Sequence, residues 1–320
     1  MLIKPMMRLA PDDTTFKFMK GRIAGLVVSA ILSTASVVLF FYPGLHLGID
    51  FSGGIVMEVR TDGPADFQKI RQTLAAEHFP EQGVQRFGDD STVRIRLPTQ
   101  PTEAGTQIAV TKVRAALETS IPGAKIVRTD AVGASVSSEL FRHGLLALGI
   151  SLLMILAYIW FRFEWQFAVG AVVTLILDIT KAIGFLALTR IEFDLVMVAA
   201  ILTVLGYSTN DKVVVYDRVR ENLRKYKTMP LRDLIDLSIN ETLNRTLGTS
   251  MTVFLASLPL ALFGGASISG FAWVMLFGIV VGTSSSIFIA APILLFLGEN
   301  RLRRDTAAIE VPESGTAPRP

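Results

Sequence analysis

The sequence predicts a membrane all-α bundle of six transmembrane helices that carries one small α+β ferredoxin-like domain on its outer side. Three observations predict it. Hydrophobic residues make up 51% of the 320-residue chain, and the mean hydropathy is +0.49, too apolar for an ordinary soluble domain. Several windows hold the roughly 20 mostly apolar residues needed to cross a bilayer core of ~30 Å. Between the first two windows the pattern changes to short strands and helices.

The windows place spans at Ile23–Tyr42, Gly144–Phe161, Trp165–Leu188, Leu195–Tyr216, Asn244–Phe263 and Phe271–Leu297. The first follows basic residues, as a signal peptide would. It is too long for a typical signal core and no small-residue cleavage site stands out, so it reads as an uncleaved anchor. Lys and Arg set orientation through short loops. Lys4, Arg8, Lys17, Lys20 and Arg22 lie in the N-terminal arm (1–22), and Arg162 lies in the link between the second and third spans. Arg218, Arg220, Arg224, Lys225, Lys227 and Arg232 lie in a loop expected near 217–243, and Arg301, Arg303 and Arg304 in a polar, disordered tail at 300–320. With six spans all of these fall on one side, so both ends are expected in the cytoplasm. The net charge of +3 is then a topology signal and not a nucleic-acid footprint. Cysteine is absent, which excludes disulfides and thiolate metal sites.

The outer segment, Pro43 to Ser137, reads as a folded domain. Gly54–Arg60 is a strand, Ala65–Phe79 a helix, Val84–Phe87 and Thr92–Leu97 a strand pair joined through Gly88-Asp89-Asp90. Thr106–Ile121 is a second helix and Lys125–Asp130 a last strand. That β-α-β-β-α-β order suggests a ferredoxin-like domain. It shows no nucleophile with a base, no metal cluster and no phosphate loop, so it reads as a binding or docking module and not as an enzyme.

Charges inside the spans carry the functional signal. Leu195 to Leu205 covers about 16 Å at 1.5 Å per residue, half a bilayer. A full crossing includes Val213–Tyr216, which puts Asp211 and its polar neighbours Tyr207, Ser208, Asn210 and Lys212 inside the slab. Ser208, Asp211, Val215 and Arg218 follow one helix face. The third span holds Asp178 and Lys181, three apart and able to pair. The fifth opens with Thr242, Arg245, Thr249 and Thr252 at helical spacing, a polar stripe with Arg245 near the inner rim. Each mid-span charge costs ~2.5–3.5 kcal/mol on insertion scales. Static pairing offsets that cost: Asp178 with Lys181, Asp211 with Lys212 or Arg245. Arg245, Lys212 and Arg218 can also snorkel to the headgroups. The other reading is a proton relay. Desolvation favours the neutral carboxyl and a nearby cation favours the charged one, so an approaching or withdrawing Arg loads or unloads a proton.

Small residues supply close packing. Gly278, Gly282, Ser286 and Ala290 recur every four residues in the last span, a stripe that admits another helix. "GTSSSIF" adds hydroxyls at Thr283, Ser284 and Ser285. "GIDFSGG", with Gly48, Asp50, Gly53 and Gly54, reads as a structural joint between the first span and the outer domain.

These motifs together resemble the SecD/SecF family of protein-export membrane proteins, in the RND superfamily. "GIDFSGG", "VGASVSSEL", "GYSTNDKVVVYDRVREN", "NETLNRTLGTSMT" and "GGASISGFAWVMLFGIVVGTSSSIFIAAP" carry the resemblance, in that order over roughly residues 15–300. It implies half of an RND-type transporter, with a SecD partner supplying the other half, beside the SecYEG channel and YajC. It implies an exported polypeptide as the chain moved, the bacterial inner membrane as location, and proton motive force as the drive for late export. No cofactor is implied beyond the coupling ion, H⁺. Asp211 is then the residue tied to proton movement and Arg245 its switching partner. The sequence departs from the family pattern at Lys212, where Thr or Ser is usual, at Leu177, where His is usual, and at Lys181, an added amine. With these amines present, both H⁺ and Na⁺ stay open as coupling ions. Two other functions compete: a small-molecule or lipid exporter, disfavoured by a single small outer domain without internal repeat, and a non-conducting scaffold of the export channel, disfavoured by the intramembrane charges.

Overall fold

A computed structural model describes residues 14–80, 83–100 and 102–297. The tail expected at 300–320 and most of the N-terminal arm lie outside the described residues. The first helix, α1 (Arg22–Phe41), is a spanning helix whose one small face, Ser29, Ser33 and Ser36, is buried. Ser36 lies where any side chain on Gly184 would stand, so α1 touches its neighbour almost backbone to backbone. Its large apolar residues, Val27, Ile31 and Val38 among them, are exposed. That is the pattern of a lipid-facing helix, because lipid tails are as apolar as Leu and packing between small residues drives association.

The outer domain follows. A single helical turn, α2 (Ile49–Ser52), leads into β1 (Gly54–Arg60), α3 (Phe67–Ala76), β2 (Val84–Phe87), β3 (Asp89–Leu97), α4 (Glu103–Ser120) and β4 (Lys125–Val132). The sheet is antiparallel in the order β2-β3-β1-β4, the ferredoxin-like arrangement. Alternation puts Ile55, Met57 and Val59 of β1 and Val93, Ile95 and Leu97 of β3 on one buried face. Ile70 and Leu74 of α3 and Val113 and Leu117 of α4 close that core. Asp66 caps α3 by accepting from Gln68 N and Lys69 N, and Thr102 caps α4 by accepting from Gly105 N. The hairpin is tighter than the sequence suggests. Gly88 takes φ +77°, so β3 begins already at Asp89, paired with Phe87 across a register shift.

Five further spans complete the bundle: α5 (Ala134–Arg162), α6 (Trp165–Thr189), α7 (Leu195–Lys225), α8 (Leu231–Phe263), and α9 (Gly265–Ser285), which runs through a π-helical turn (Ser286–Ala290) into α10 (Ala291–Phe296). Among the described residues six helices are long and apolar enough to cross a membrane. In α7, 56% of the apolar window is buried against 11% in α5, so α7 is central and α5 peripheral.

The helices outrun their apolar windows, and this corrects the expected loop near 217–243. That region is a helical hairpin whose turn is confined to 226–230. Val219 and Leu223 on α7 and Leu231, Leu234, Ile235 and Ile239 on α8 keep an apolar stripe at helical period beyond the slab. Charged residues cover the other faces. Arg218 pairs with Glu221 and Glu241, Arg220 with Glu164 and Arg162 with Asp217. The backbone N–H of Met19 donates to Asp236 Oδ1 at 2.8 Å, tying the start of the chain to this hairpin. The small stripe of the last span packs where its spacing implies. A Cβ on Gly278 would lie 2.3 Å from Val204 Cγ2, and one on Gly282 would lie 3.0 Å from Ser208, so α9 and α7 are in close contact. Ser286 is fully buried and donates to Gly282 O, and Tyr216 donates to Ala290 O.

Candidate functional site

Two polar clusters lie inside the bundle. The first surrounds Asp211. Its side chain is buried on α7 and accepts one hydrogen bond, from Thr283 Oγ1 of α9 to Oδ2 at 3.2 Å. Thr283 is hydrogen-bonded to Ser250 Oγ of α8 at 2.7 Å, and Tyr207 OH donates to Ser250 Oγ at 2.6 Å. Tyr207, Ser250, Thr283 and Asp211 thus form a hydroxyl line through three helices that ends on a carboxylate. No cation lies within ion-pair distance of Asp211 among the described residues.

The second cluster surrounds Asp178 of α6. Its Oδ2 accepts from Ser208 Oγ at 2.8 Å, Lys212 Nζ at 2.9 Å and Ser285 Oγ at 2.8 Å. Lys212 also donates to Ser208 Oγ. Lys181 Nζ stands 3.9 Å from Oδ1, an oxygen that has no hydrogen-bond partner. All four of Asp178, Lys181, Ser208 and Lys212 are buried. One carboxylate therefore serves two amines, and its saturated oxygen faces Lys212.

Comparison with known proteins fits this architecture. The family model described as "Protein export membrane protein SecD/SecF, C-terminal" matches residues 112–300, and that of the SecD/SecF GG motif matches residues 38–65. A protein translocase subunit SecF from Rickettsia bellii is 40% identical over 299 residues, covering 93% of this chain and 98% of its own length. The chain belongs to the SecD/SecF family. Its relative named protein translocase subunit SecF in Cereibacter sphaeroides is 41% identical over 302 residues, covering 92% of this chain and 93% of that one. A crystal structure of SecDF from Thermus thermophilus, described as a translocon-associated membrane protein, superposes with a TM-score of 0.82 at 29% identity over 92% of this chain. This chain spans 40% of the length of that SecDF chain. A second SecDF structure, in a form called super-membrane-facing, gives a TM-score of 0.62 at 28% identity.

The geometry revises several expectations for this SecD/SecF member. Lys212 does not pair with Asp211. Adjacent helix positions point about 100° apart, so the two side chains leave α7 in different directions and Lys212 turns to Asp178. Asp178 meets Lys181 only at the long 3.9 Å distance. Arg245 is exposed on α8 and makes no ion pair with Asp211 or any other carboxylate among the described residues. Asn210 is exposed as well, on the outer face of α7. The fifth-span stripe turns the same way: Thr252 is exposed and Thr249 half-buried, while only Thr242 is buried. The inward stripe of α8 is Ser238, Thr242, Thr246 and Ser250, at steps of four. That spacing was readable in the sequence, but helical period alone does not say which of two polar stripes faces inward. Ser250 was therefore missed, and Thr283 and Ser285 were seen only as extra hydroxyls.

The "GIDFSGG" joint is held by main-chain hydrogen bonds and by the Asp50 carboxylate. Gly48 N donates to Phe193 O at 2.9 Å, Phe193 N to His46 O at 2.7 Å, and Leu195 N to Asp50 Oδ2 at 3.1 Å. The joint therefore clamps the link between α6 and α7. Gly53 (φ +68°) and Gly54 (φ +118°) turn the chain into β1. A Cβ on Gly54 would meet Leu97 O at 2.7 Å, so both conformation and space require glycine there. Arg94 of β3 bridges Glu58 of β1 and Glu192 of the α6–α7 link. Asp194 caps α7 by accepting from Met197 N at 2.9 Å. Burial pushes its carboxyl above the ordinary range, the Met197 N–H lowers it, and the nearby charges of Asp50 and Glu192 add to the rise.

Proposed function

We propose that this chain is an accessory subunit of the Sec protein translocase that works with a SecD partner and uses the proton motive force in late steps of export. In this reading it is no enzyme, sits in the bacterial inner membrane with both ends in the cytoplasm, and works beside SecYEG and YajC on exported polypeptides. The observation that carries it is Asp211. A buried carboxylate inside a span is costly, and here no cation lies within ion-pair distance of it among the described residues and a single hydroxyl donor, Thr283, holds it. The hydroxyl line from Tyr207 gives a proton a route between helices. A charge moved across 100 mV is worth ~2.3 kcal/mol, enough to bias a conformational equilibrium.

The bundle also supports a second half. Asn210 and Arg245, polar groups that lipid would solvate poorly, are exposed on α7 and α8. A SecD bundle packed against α7 and α8 at these positions would cover both, and Arg245 would reach Asp211 only in a state with different packing. The joint supports transmission: the α6–α7 link that opens α7 is hydrogen-bonded to the outer domain. A scaffold reading is favoured by the Asp178–Lys212 pair, whose shared oxygen Oδ2 takes three donors, but it leaves Asp211 without a purpose.

The test is Asp211→Asn in vesicles lacking the native subunit, with export of a secreted precursor followed with the gradient on and off. We expect normal assembly with SecD and loss of the gradient-dependent part of export. Wild-type export by the variant would make Asp211 a structural residue and favour the scaffold.

A further inference from the structure

The Asp211 line leaves the second cluster unexplained. The Lys212 ammonium is fully buried. Around it stand Asp178 Oδ2 at 2.9 Å, Ser208 O at 3.4 Å, Ser285 Oγ at 3.4 Å and Ser208 Oγ. These oxygens come from α6, α7 and α9. They are one carboxylate, two hydroxyls and one main-chain carbonyl, a hard donor set carrying one negative charge. Hard oxygens suit alkali and alkaline-earth cations rather than soft metals, and a single carboxylate matches a monovalent ion. Ser285 is also the residue at which α9 passes into the π turn Ser286–Ala290. Such turns break the regular ladder and recur at functional sites.

We propose that this cluster is a sodium-class cation site filled by the chain's own Lys212 ammonium, a tethered cation that cannot leave. Lys212 thereby closes the site to Na⁺ and leaves Asp211 as the exchangeable carboxylate of the pair. The coupling consequence rests on the reading of Asp211 as carrier; the site itself does not. Lys181 is the reserve: its Nζ is 3.9 Å from Asp178 Oδ1 and would move in if Lys212 were removed. A test has to remove both amines.

The experiment uses the purified full chain in detergent. Its unfolding midpoint is measured in NaCl and in choline chloride at equal ionic strength, where a ligand that binds only the native state raises the midpoint with its concentration. The wild type is expected to respond equally to the two salts. Lys181→Met/Lys212→Ser is expected to gain a midpoint that climbs with NaCl only, and adding Asp178→Asn is expected to abolish that gain. Should that double variant fail to fold in either salt, Lys181→Gln/Lys212→Thr, which also removes both amines but keeps a polar side chain at each position, decides the matter by the presence or absence of a sodium-specific shift. Equal response to both salts in the decisive variant overturns the proposal. So does a sodium-specific shift that Asp211→Asn removes, because the ion would then sit at Asp211. No gradient is involved, so failure of the Asp211 reading would leave this readout intact.

Discussion

Replacing Asp178 by Asn should be the most destabilising single change in the transmembrane bundle. The substitution keeps shape and removes charge. Lys212, fully buried, would then hold its ammonium against a neutral amide, with Lys181 close by. Removing one partner of a buried ion pair costs about 3–5 kcal/mol, because the remaining charge is left uncompensated. Lys212→Met should cost less, about 1–2 kcal/mol, as with loss of a charged hydrogen bond. In that variant Asp178 keeps the Ser208 and Ser285 donors, and Lys181 has only a short distance to close. Asp178→Asn/Lys212→Met should therefore be more stable than Asp178→Asn alone, since the stranded ammonium is gone. Unfolding of the purified chain in detergent, followed by helix signal, gives the three values and their coupling energy. An Asp178→Asn variant within about 1 kcal/mol of wild type would refute the reasoning. A double variant less stable than Asp178→Asn would refute it equally, since Lys212 would then be held by something other than this carboxylate.

Three further outcomes are expected. Gly278→Ala should cost about 1–3 kcal/mol by overpacking, because its Cβ would fall 2.3 Å from Val204 Cγ2; Val204→Ala in that background should restore part of it in the same unfolding assay. Gly54→Ala should loosen β1 from β3 at the joint, read as faster amide exchange at Ile55 and Leu97, the pair in register there. Asp194 holds its proton more tightly when folded than unfolded, so its contribution to stability is greatest below the ordinary carboxylate value and is lost as pH rises through the raised native value. Asp194→Asn keeps a capping side chain and should flatten that fall in unfolding midpoint as pH is raised above about 4.

Much of the architecture was legible because it rests on local pattern. Apolar windows located every span, and the run Thr92–Leu97 located most of β3 (Asp89–Leu97). Helix length was less legible, since polar residues on exposed faces hid the continuing stripe of Val219, Leu223, Leu234 and Ile235. The site was legible one residue at a time: Asp178 and Asp211 stood out because a charge in an apolar run is costly. Their partners were not legible. Sequence neighbours invited Asp211–Lys212 and Asp178–Lys181, whereas the structure joins Asp178 to Lys212 across α6 and α7. Choosing partners needs the rotation of each helix, which depends on contacts such as Gly278 against Val204. Arg245 shows the same limit, since its stripe turns outward while Ser250, four residues after Thr246, turns in.

Proton uptake and release by Asp211 inside the bundle can be followed directly, by infrared difference spectroscopy of the SecD-associated chain in membranes, recorded while pH is stepped. A protonated-carboxyl carbonyl band is expected to rise and fall with pH in the wild type and to be missing in Asp211→Asn, while Asp194→Asn leaves it in place. A band unchanged in Asp211→Asn, or none in the wild type across the pH range in which export is gradient-dependent, would contradict proton exchange at Asp211.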